Sequence, residues 1–454
     1  MVMKILLKLT VAAIICLLSL ATGKYVLADS LKNASLESVY GNTFFMASSG
    51  KDEMGVRGPM GWHYYWEDGY LTIENRNANL YFMINGQVLG DAGYLDADDE
   101  LQNAFPGFTG SNALFRKLNL STYANFYDVV DFKIGIDFAN VRDIQDIWIR
   151  YLKHPHLKNI RIGNLKEPFS LEYLTSITRL TFMERSLPDS AFGAGRNIGI
   201  RYDSQGDLKR VNFGAGLFLN TGSFSDFGEA QNQISEANGF DTTLRVFGLS
   251  HYKEGGKKLL HLGLGYSHGV RNENDLSEFR TRPESRLTDE RLVDTGPIQG
   301  ASQDLVTAEL ALNSGPWSFQ TQGYYLALDV DAADDPHFWG YYSMLSYFLT
   351  GESRRYSQAL GIFTGVEPQP VFKPLEGHWG AWELALRHSY VDLNNGNVSG
   401  GRESNITTGL NWIYNRNARL MFNYVRVCYV KDRESPPVED GAANIFQVRL
   451  QFIW

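Results

Sequence analysis

The sequence predicts an all-β fold, a transmembrane antiparallel β-barrel of about sixteen strands with inward-folded loops, and three observations carry that prediction. The chain ends on a strictly alternating segment: Phe446, Val448, Leu450, Phe452 and Trp454 share one face of a strand, with Gln447, Arg449 and Gln451 on the other. It begins with Lys4 and Lys8 flanking an apolar run over 11–20, followed by a small-residue site at Val26-Leu27-Ala28. Between these ends no stretch reaches the roughly 18 consecutive apolar residues of a membrane helix, while period-two alternation recurs throughout. Strands with lipid on one side and water on the other satisfy all three observations.

Taken in chain order, residues 1–28 read as a secretory signal peptide cleaved before Asp29. Cys16 lies inside the apolar run behind Ala13-Ile14-Ile15, a poor lipoprotein site. Cleavage leaves Cys428 alone, so an internal disulfide, a cysteine metal cluster and a CxxC redox pair are excluded; Cys428 reads as a small strand residue. Residues 29–78 show no strand pattern beyond Tyr64-Tyr65-Trp66 and are expected to form an N-terminal periplasmic or plug segment ahead of a barrel domain at 79–454.

Alternation between turn signals predicts strands starting near residues 79, 113, 128, 145, 157, 196, 209, 241, 258, 305, 316, 339, 378, 404, 418 and 443. Their connections alternate in length. Short ones lie near Phe126-Tyr127, His154-Pro155-His156, 204–207, Glu254-Gly255-Gly256, Ser314-Gly315-Pro316 and Asn415-Arg416-Asn417. Longer ones lie at about 92–112, 165–195, 221–240, 269–304, 328–338, 391–403 and 431–442. A closed barrel with short periplasmic turns and long external loops has this rhythm. Two exceptions are a short external loop near Arg142 and a long periplasmic connection at 350–377, which carries Arg354, Arg355 and Lys373 and can either fold back into the lumen or stay outside it.

Leu165-Lys166-Glu167-Pro168-Phe169-Ser170-Leu171-Glu172, Thr181-Phe182-Met183-Glu184-Arg185 and Gly195-Arg196-Asn197-Ile198-Gly199 resemble the phosphate-selective porin O and P family. So do Thr350-Gly351-Glu352-Ser353-Arg354-Arg355-Tyr356 and Gly380-Ala381-Trp382-Glu383-Leu384-Ala385-Leu386-Arg387, and the resemblance spans 75–454. It implies a sixteen-stranded homotrimeric porin in the outer membrane of a Gram-negative bacterium, with basic side chains guiding inorganic anions to a narrow waist. Phosphate or polyphosphate is the expected solute, with chloride also passing. Outer-membrane lipid and lipopolysaccharide, and the barrel-assembly machinery reading the C-terminal strand, are the other expected partners; no cofactor and no nucleic acid is expected.

The formal charge of −9 becomes −12 once Lys4, Lys8 and Lys24 leave with the signal, which taken alone disfavours an anion partner. Strand parity reverses the sign locally. It points Arg150, Arg161, Arg201, Arg210, Arg245, Arg387 and Arg449 into the lumen against Asp146, Glu309 and Glu383. Wall arginines of this kind often serve only to pair with carboxylates. The third loop is therefore the expected filter, through Lys166, Arg179, Arg185 and Arg196, because guanidinium groups engage two oxygens of an oxyanion at once. Lys166→Glu combined with Arg185→Glu is expected to move selectivity toward cations. Arg426 shares the face of Leu420, Phe422 and Tyr424 and is left outside the lumen.

Acidic runs at 96–100 and 329–335 read as solvated loops before cation sites, and Trp66, Trp317, Trp339, Trp382, Trp412 and Trp454 as aromatic girdles. Of the histidines, His261 has lumen parity, whereas His251, His268 and His388 have lipid parity, and none sits in a catalytic pattern. The competing expectations are a weakly selective general diffusion porin, and a plugged adhesive barrel that conducts nothing.

Overall fold

The computed structural model describes residues 56–57, 59–67, 70–139, 143–153, 159–204, 210–221, 237, 239–272, 275–330 and 335–454. The expected signal peptide, residues 29–55, Arg142, His154-Pro155-His156 and the acidic stretch 331–334 lie outside the described residues.

Sixteen strands close into one antiparallel barrel: β1 Leu80–Ala97, β2 Gly110–Phe126, β3 Val130–Asp137, β4 Asp143–Tyr151, β5 Ile160–Lys166, β6 Arg196–Asp203, β7 Val211–Leu219 and β8 Phe240–Lys253. The second half continues with β9 Lys258–Val270, β10 Ser302–Ser314, β11 Trp317–Asp329, β12 His337–Phe348, β13 Ala381–Asn395, β14 Val398–Ile413, β15 Ala418–Arg433 and β16 Val438–Ile453. Every strand expected from alternation is present. The largest displacement of a start is at β14, expected near 404 and found at Val398.

Alternation works because the two faces meet different solvents. On β7, Leu217 is 58% exposed toward the outside while Asn212 is fully buried within. Trp382 stacks on Trp412 at 4.8 Å and Trp317 packs on Tyr347 at 4.4 Å, as expected of girdle aromatics. Arg426 stays on the outer face, donating to Asn444 Oδ1 at 3.0 Å.

Two external loops are much shorter than expected. The connections placed at 391–403 and 431–442 shrink to Asn395–Val398 and Arg433–Val438, because β13–β16 continue beyond the apolar belt. There the outer face turns polar, as at Arg402 and Lys431, while Val391, Leu393, Val430 and Val438 pack inward against the loops, so the lipid-facing alternation inverts while the hydrogen-bond ladder continues. Bulges between Asp392 and Asn394, and between Val427 and Val430, further break the parity. The acids of the first external loop serve as caps: Asp98 accepts from Leu101 N at 2.9 Å to start α1 (Asp99–Ala104), and from Ala442 N at 2.6 Å.

Closure depends on the last residue. β16 pairs with β1 from Ala443 opposite Ala97 to Ile453 opposite Gln87, and beyond it Trp454 and Gly86 exchange backbone hydrogen bonds of 2.7 and 2.9 Å. The Trp454 ring lies directly over Gly86, where an added Cβ would sit 2.1 Å from it. Gly86→Val is therefore expected to destabilise the seam by about 1–3 kcal/mol. A lowered denaturant midpoint checks this, and an unchanged one contradicts it. Past Trp454 the edge of β1 is taken over by a hairpin of Trp62–Glu67 and Tyr70–Asn75, whose second strand pairs with Leu80–Ile84. The described part of the N-terminal segment thus extends the sheet.

Candidate functional site: a charged conduit inside the barrel

Three connections fold into the lumen: the third loop (167–195), the fifth loop (271–301) and the long periplasmic turn (349–380). The third loop contains α2 (Leu171–Leu174), capped by Ser170 Oγ, and α3 (Leu187–Phe192). It is docked on the far half of the barrel. Leu171 N donates to Glu309 Oε1 of β10 at 2.9 Å, Glu172 N to Gln322 Oε1 of β11 at 2.9 Å, and Tyr324 OH to Asp189 Oδ1 at 2.7 Å. The fifth loop sends the fully enclosed Glu284 against Arg387, Ser389 and Thr407. The long turn buries Tyr356, Leu360, Ile362 and Phe363 against Leu171 and Leu174 and encloses Arg354, while Lys373 stays exposed.

Most of the wall arginines are struts. Arg449, fully buried, forms a bidentate pair with Asp91 at 2.7 Å on each arm, reaches Glu184 at 2.6 Å and donates to Met183 O. Arg387 joins two loops, meeting Glu284 at 2.6 Å and Glu172 at 3.4 Å. Arg245 grips Glu309 at 2.9 and 2.8 Å and donates to Leu360 O and Gly361 O, tying the long turn to β8. Arg150 pairs with Asp131 at 2.5 Å and Arg201 with Asp203 at 2.7 Å. Arg161 lies 3.9 Å from Asp203 and 5.2 Å from the Trp148 ring centroid. Arg210 is exposed in the turn ahead of β7, one residue short of the wall that parity assigned it to. The inward acids are more numerous than expected, since Asp91, Asp131 and Asp203 join Asp146, Glu309 and Glu383.

His261 is fully buried, with Nε2 2.9 Å from Glu309 and Nδ1 2.6 Å from the Tyr356 hydroxyl. The ring thus braces β9 against β10 and the long turn.

With the third loop on the β9–β16 side, the open space runs along β1–β6 as a cavity of about 510 Å³. Its lining holds Arg116, Lys117, Lys133, Arg161, Lys166, Arg179, Arg185, Arg196, Arg201, Arg282, Arg286 and Arg291 against Asp137, Asp146, Glu184, Asp189 and Glu284, twelve basic groups to five acidic among the described residues. All four expected filter residues are among them. Lys166 Nζ donates to Tyr173 O at 2.5 Å, and Arg185 donates to the same carbonyl at 3.1 Å while pairing with Asp189 at 3.2 Å. Both cations lie 4.9 Å from the Tyr173 ring centroid. Arg196 shares Asp146 with Lys133, at 3.1 and 2.7 Å. Arg179, nearer the periplasmic end, donates to Arg416 O at 3.1 Å.

Sequence reasoning missed Arg116, Lys117, Lys133, Arg282, Arg286 and Arg291. Leu89 faces Lys117 and Gly90 faces Phe115, so Arg116 is an extra residue in a bulge that turns two consecutive basic side chains inward. Two adjacent charges on a lipid-bounded strand were the available signal. Glu184 receives Arg116 at 2.6 Å and Arg286 at 3.9 Å; burial would raise its carboxyl, but Arg116 and Arg449 override that and hold it well below the ordinary range. Arg286 is pushed down to about 9 by enclosure first and by Arg116 next, as in a cluster short of negative charge. The side chains of Lys117 and Arg291 enter no hydrogen bond or ion pair among the described residues.

Burial, then Asp189, raises the Glu172 carboxyl to about 7, opposed by Arg387. A carboxyl raised in the folded state contributes stability that is whole below its ordinary 4.5 and is lost as pH rises through about 7. Raising pH from about 5 to about 8 is therefore expected to lower the unfolding midpoint, and Glu172→Gln to flatten that dependence. Identical pH profiles for the two proteins would contradict this assignment.

A closed sixteen-stranded barrel holding a charged, loop-lined conduit is an outer-membrane porin, a channel protein of Gram-negative bacteria and not an enzyme. The chain belongs to the family described as phosphate-selective porin O and P, whose profile matches residues 82–454. Porin O of Pseudomonas aeruginosa is 26% identical over 424 residues, covering 85% of this chain and 91% of its own. An uncharacterized protein of Caulobacter vibrioides is 27% identical over 365 residues, covering 79% of this chain and 70% of its own. The outer membrane channel DcaP of Acinetobacter baumannii is 11% identical with a TM-score of 0.50, covering 83% of this chain and 97% of that one, a likeness of fold alone.

Proposed function

We propose that the chain is a passive channel selective for small anions, with phosphate or polyphosphate the physiological solute and chloride also passing. The observation that carries this is the conduit lining, twelve basic groups to five acidic, in a chain whose overall charge is negative. Lys117, Arg286 and Arg291 are the groups whose field is least spent on protein carboxylates. In a narrow lumen of reduced dielectric, that field raises local anion concentration and replaces part of a hydration shell. Lys166, Arg179, Arg185 and Arg196 form the remaining steps of the row. A row of weak sites suits conduction better than one tight pocket.

The second reading, a weakly selective general porin, draws on the pairing of Lys133 and Arg196 with Asp146 and of Arg116 with Glu184, which removes much of their charge. Phosphate titrated onto one side of a bilayer separates the two. The anion filter predicts a saturable fall in chloride current; a current that changes only with ionic strength supports the general pore.

We further propose a homotrimer in lipopolysaccharide-containing membrane, inserted through its C-terminal strand by the barrel-assembly machinery after cleavage of 1–28. Light scattering in detergent checks the trimer, and a mature N-terminus at Asp29 checks the cleavage.

A further inference from the structure

Off the conduit, between the third loop, the long periplasmic turn and β13–β15, lies a second cavity of about 30 Å³. Arg179, Arg354, Arg416 and Arg419 line it with a single carboxylate, Glu383. Arg354 is 5% exposed and Arg419 7%, and neither forms an ion pair among the described residues. Arg354 NH1 donates to the neutral oxygens Ser318 Oγ and Gln320 Oε1 at the long distances of 3.4 and 3.3 Å, and its guanidinium lies 3.7 Å from the Phe363 ring centroid. Arg419 donates to Leu180 O at 2.8 Å and Gln451 Oε1 at 3.1 Å, both uncharged, and its buried Nε–H has no acceptor. Glu383 accepts from Asn411 at 2.8 Å through Oε2, its buried Oε1 having no donor among the described residues, and Glu367 is shared by Arg416 at 3.0 Å and Arg355 at 2.6 Å. The two buried guanidinium groups without an ion pair, Arg354 and Arg419, thus face the single lining carboxylate Glu383.

Buried guanidinium groups with neutral acceptors only, one of them aiming an unused donor, are stabilised by a counter-anion at the centre of the cluster. Size selects the anion. A water needs about 10–15 Å³ on this scale, so a cavity of about 30 Å³ has room for one halide-sized ion. We infer that this alcove binds a resident small monovalent anion, chloride in ordinary solution, which pins the third loop and the long turn to the barrel wall. The site adjoins the conduit, with Arg179 lining both spaces and Arg354 and Arg419 the alcove alone, and it does not depend on which solute the conduit passes.

Crystals of the full chain grown in sodium bromide, measured at the bromine edge, test it. An anomalous peak in the alcove within hydrogen-bonding reach of Arg419 Nε is expected; an alcove without that peak overturns the inference. In detergent, replacing gluconate by chloride at constant ionic strength is expected to raise the unfolding midpoint of the wild type by a few degrees and that of Arg419→Gln not at all. An equal rise in both overturns the assignment to this site. Arg419→Gln should keep the wild-type reversal potential, and a shift toward cations would overturn the separation of the alcove from the conduit. Should that variant fail to fold, the wild-type bromide map decides alone.

Discussion

Arg449→Gln is expected to cost the barrel about 3–5 kcal/mol and to raise its single-channel conductance, because it strips three partners at once from one buried guanidinium. Asp91 on β1 and Glu184 on the third loop lose their bidentate and charged contacts, and Met183 O loses a donor. Two carboxylates are left facing each other in an enclosed space. Arg116 still holds Glu184 at 2.6 Å, so the loop is loosened from the seam without being stripped of all its ties. Arg449→Lys cannot reproduce the planar fork and should fall between the two. Denaturant midpoints and conductance steps check this; a variant matching the wild type in both would show that the third loop is held from the β9–β13 side alone.

The second large effect concerns the sign of the pore. Lys117→Glu combined with Arg286→Glu replaces two basic groups in the conduit lining by two acidic ones and is expected to turn an anion-selective reversal potential toward cations. These positions are chosen because neither is locked into the scaffold: among the described residues Lys117 has no partner side chain, and Arg286 only the distant Glu184. Lys166→Glu with Arg185→Glu is a less clean experiment. Both cations are bound to Tyr173 O and Arg185 also to Asp189, so reversing them sets carboxylates against a carbonyl and another carboxylate and disturbs the loop itself. A selectivity shift in that pair should come with altered conductance, whereas Lys117 and Arg286 should change selectivity with the barrel intact. Unaltered selectivity in the Lys117/Arg286 variant would remove the bulge and the fifth loop from the filter.

The barrel was legible in the sequence because lipid imposes one rule on every strand, and a run such as Phe446, Val448, Leu450 and Phe452 obeys it without knowledge of any distant residue. Where that rule lapses, legibility lapses with it. The upper ends of β13–β16 carry polar residues outward and apolar ones such as Leu393 and Val430 inward, the reverse of the lipid rule, and read as loops. The bulge at Arg116 carries two neighbouring residues to one face, which strict alternation forbids. The lumen face is governed by pairings between residues far apart in the chain, such as Arg449 with Glu184 and Arg387 with Glu284, and these leave no periodic trace. Parity therefore placed six of the seven wall arginines on the right face without showing that most of them brace the scaffold. The fifth loop's basic residues went unnoticed for the same reason, since a loop has no parity to read.

The most direct test of the central claim is the reversal potential of the purified channel in a planar bilayer under a potassium chloride gradient. An anion-selective potential is predicted, carried by the basic lining of the conduit. A potential near zero or of cationic sign would contradict it, and would mean that the paired carboxylates Asp146 and Glu184, with the acidic loops outside, set the field that a permeating ion meets.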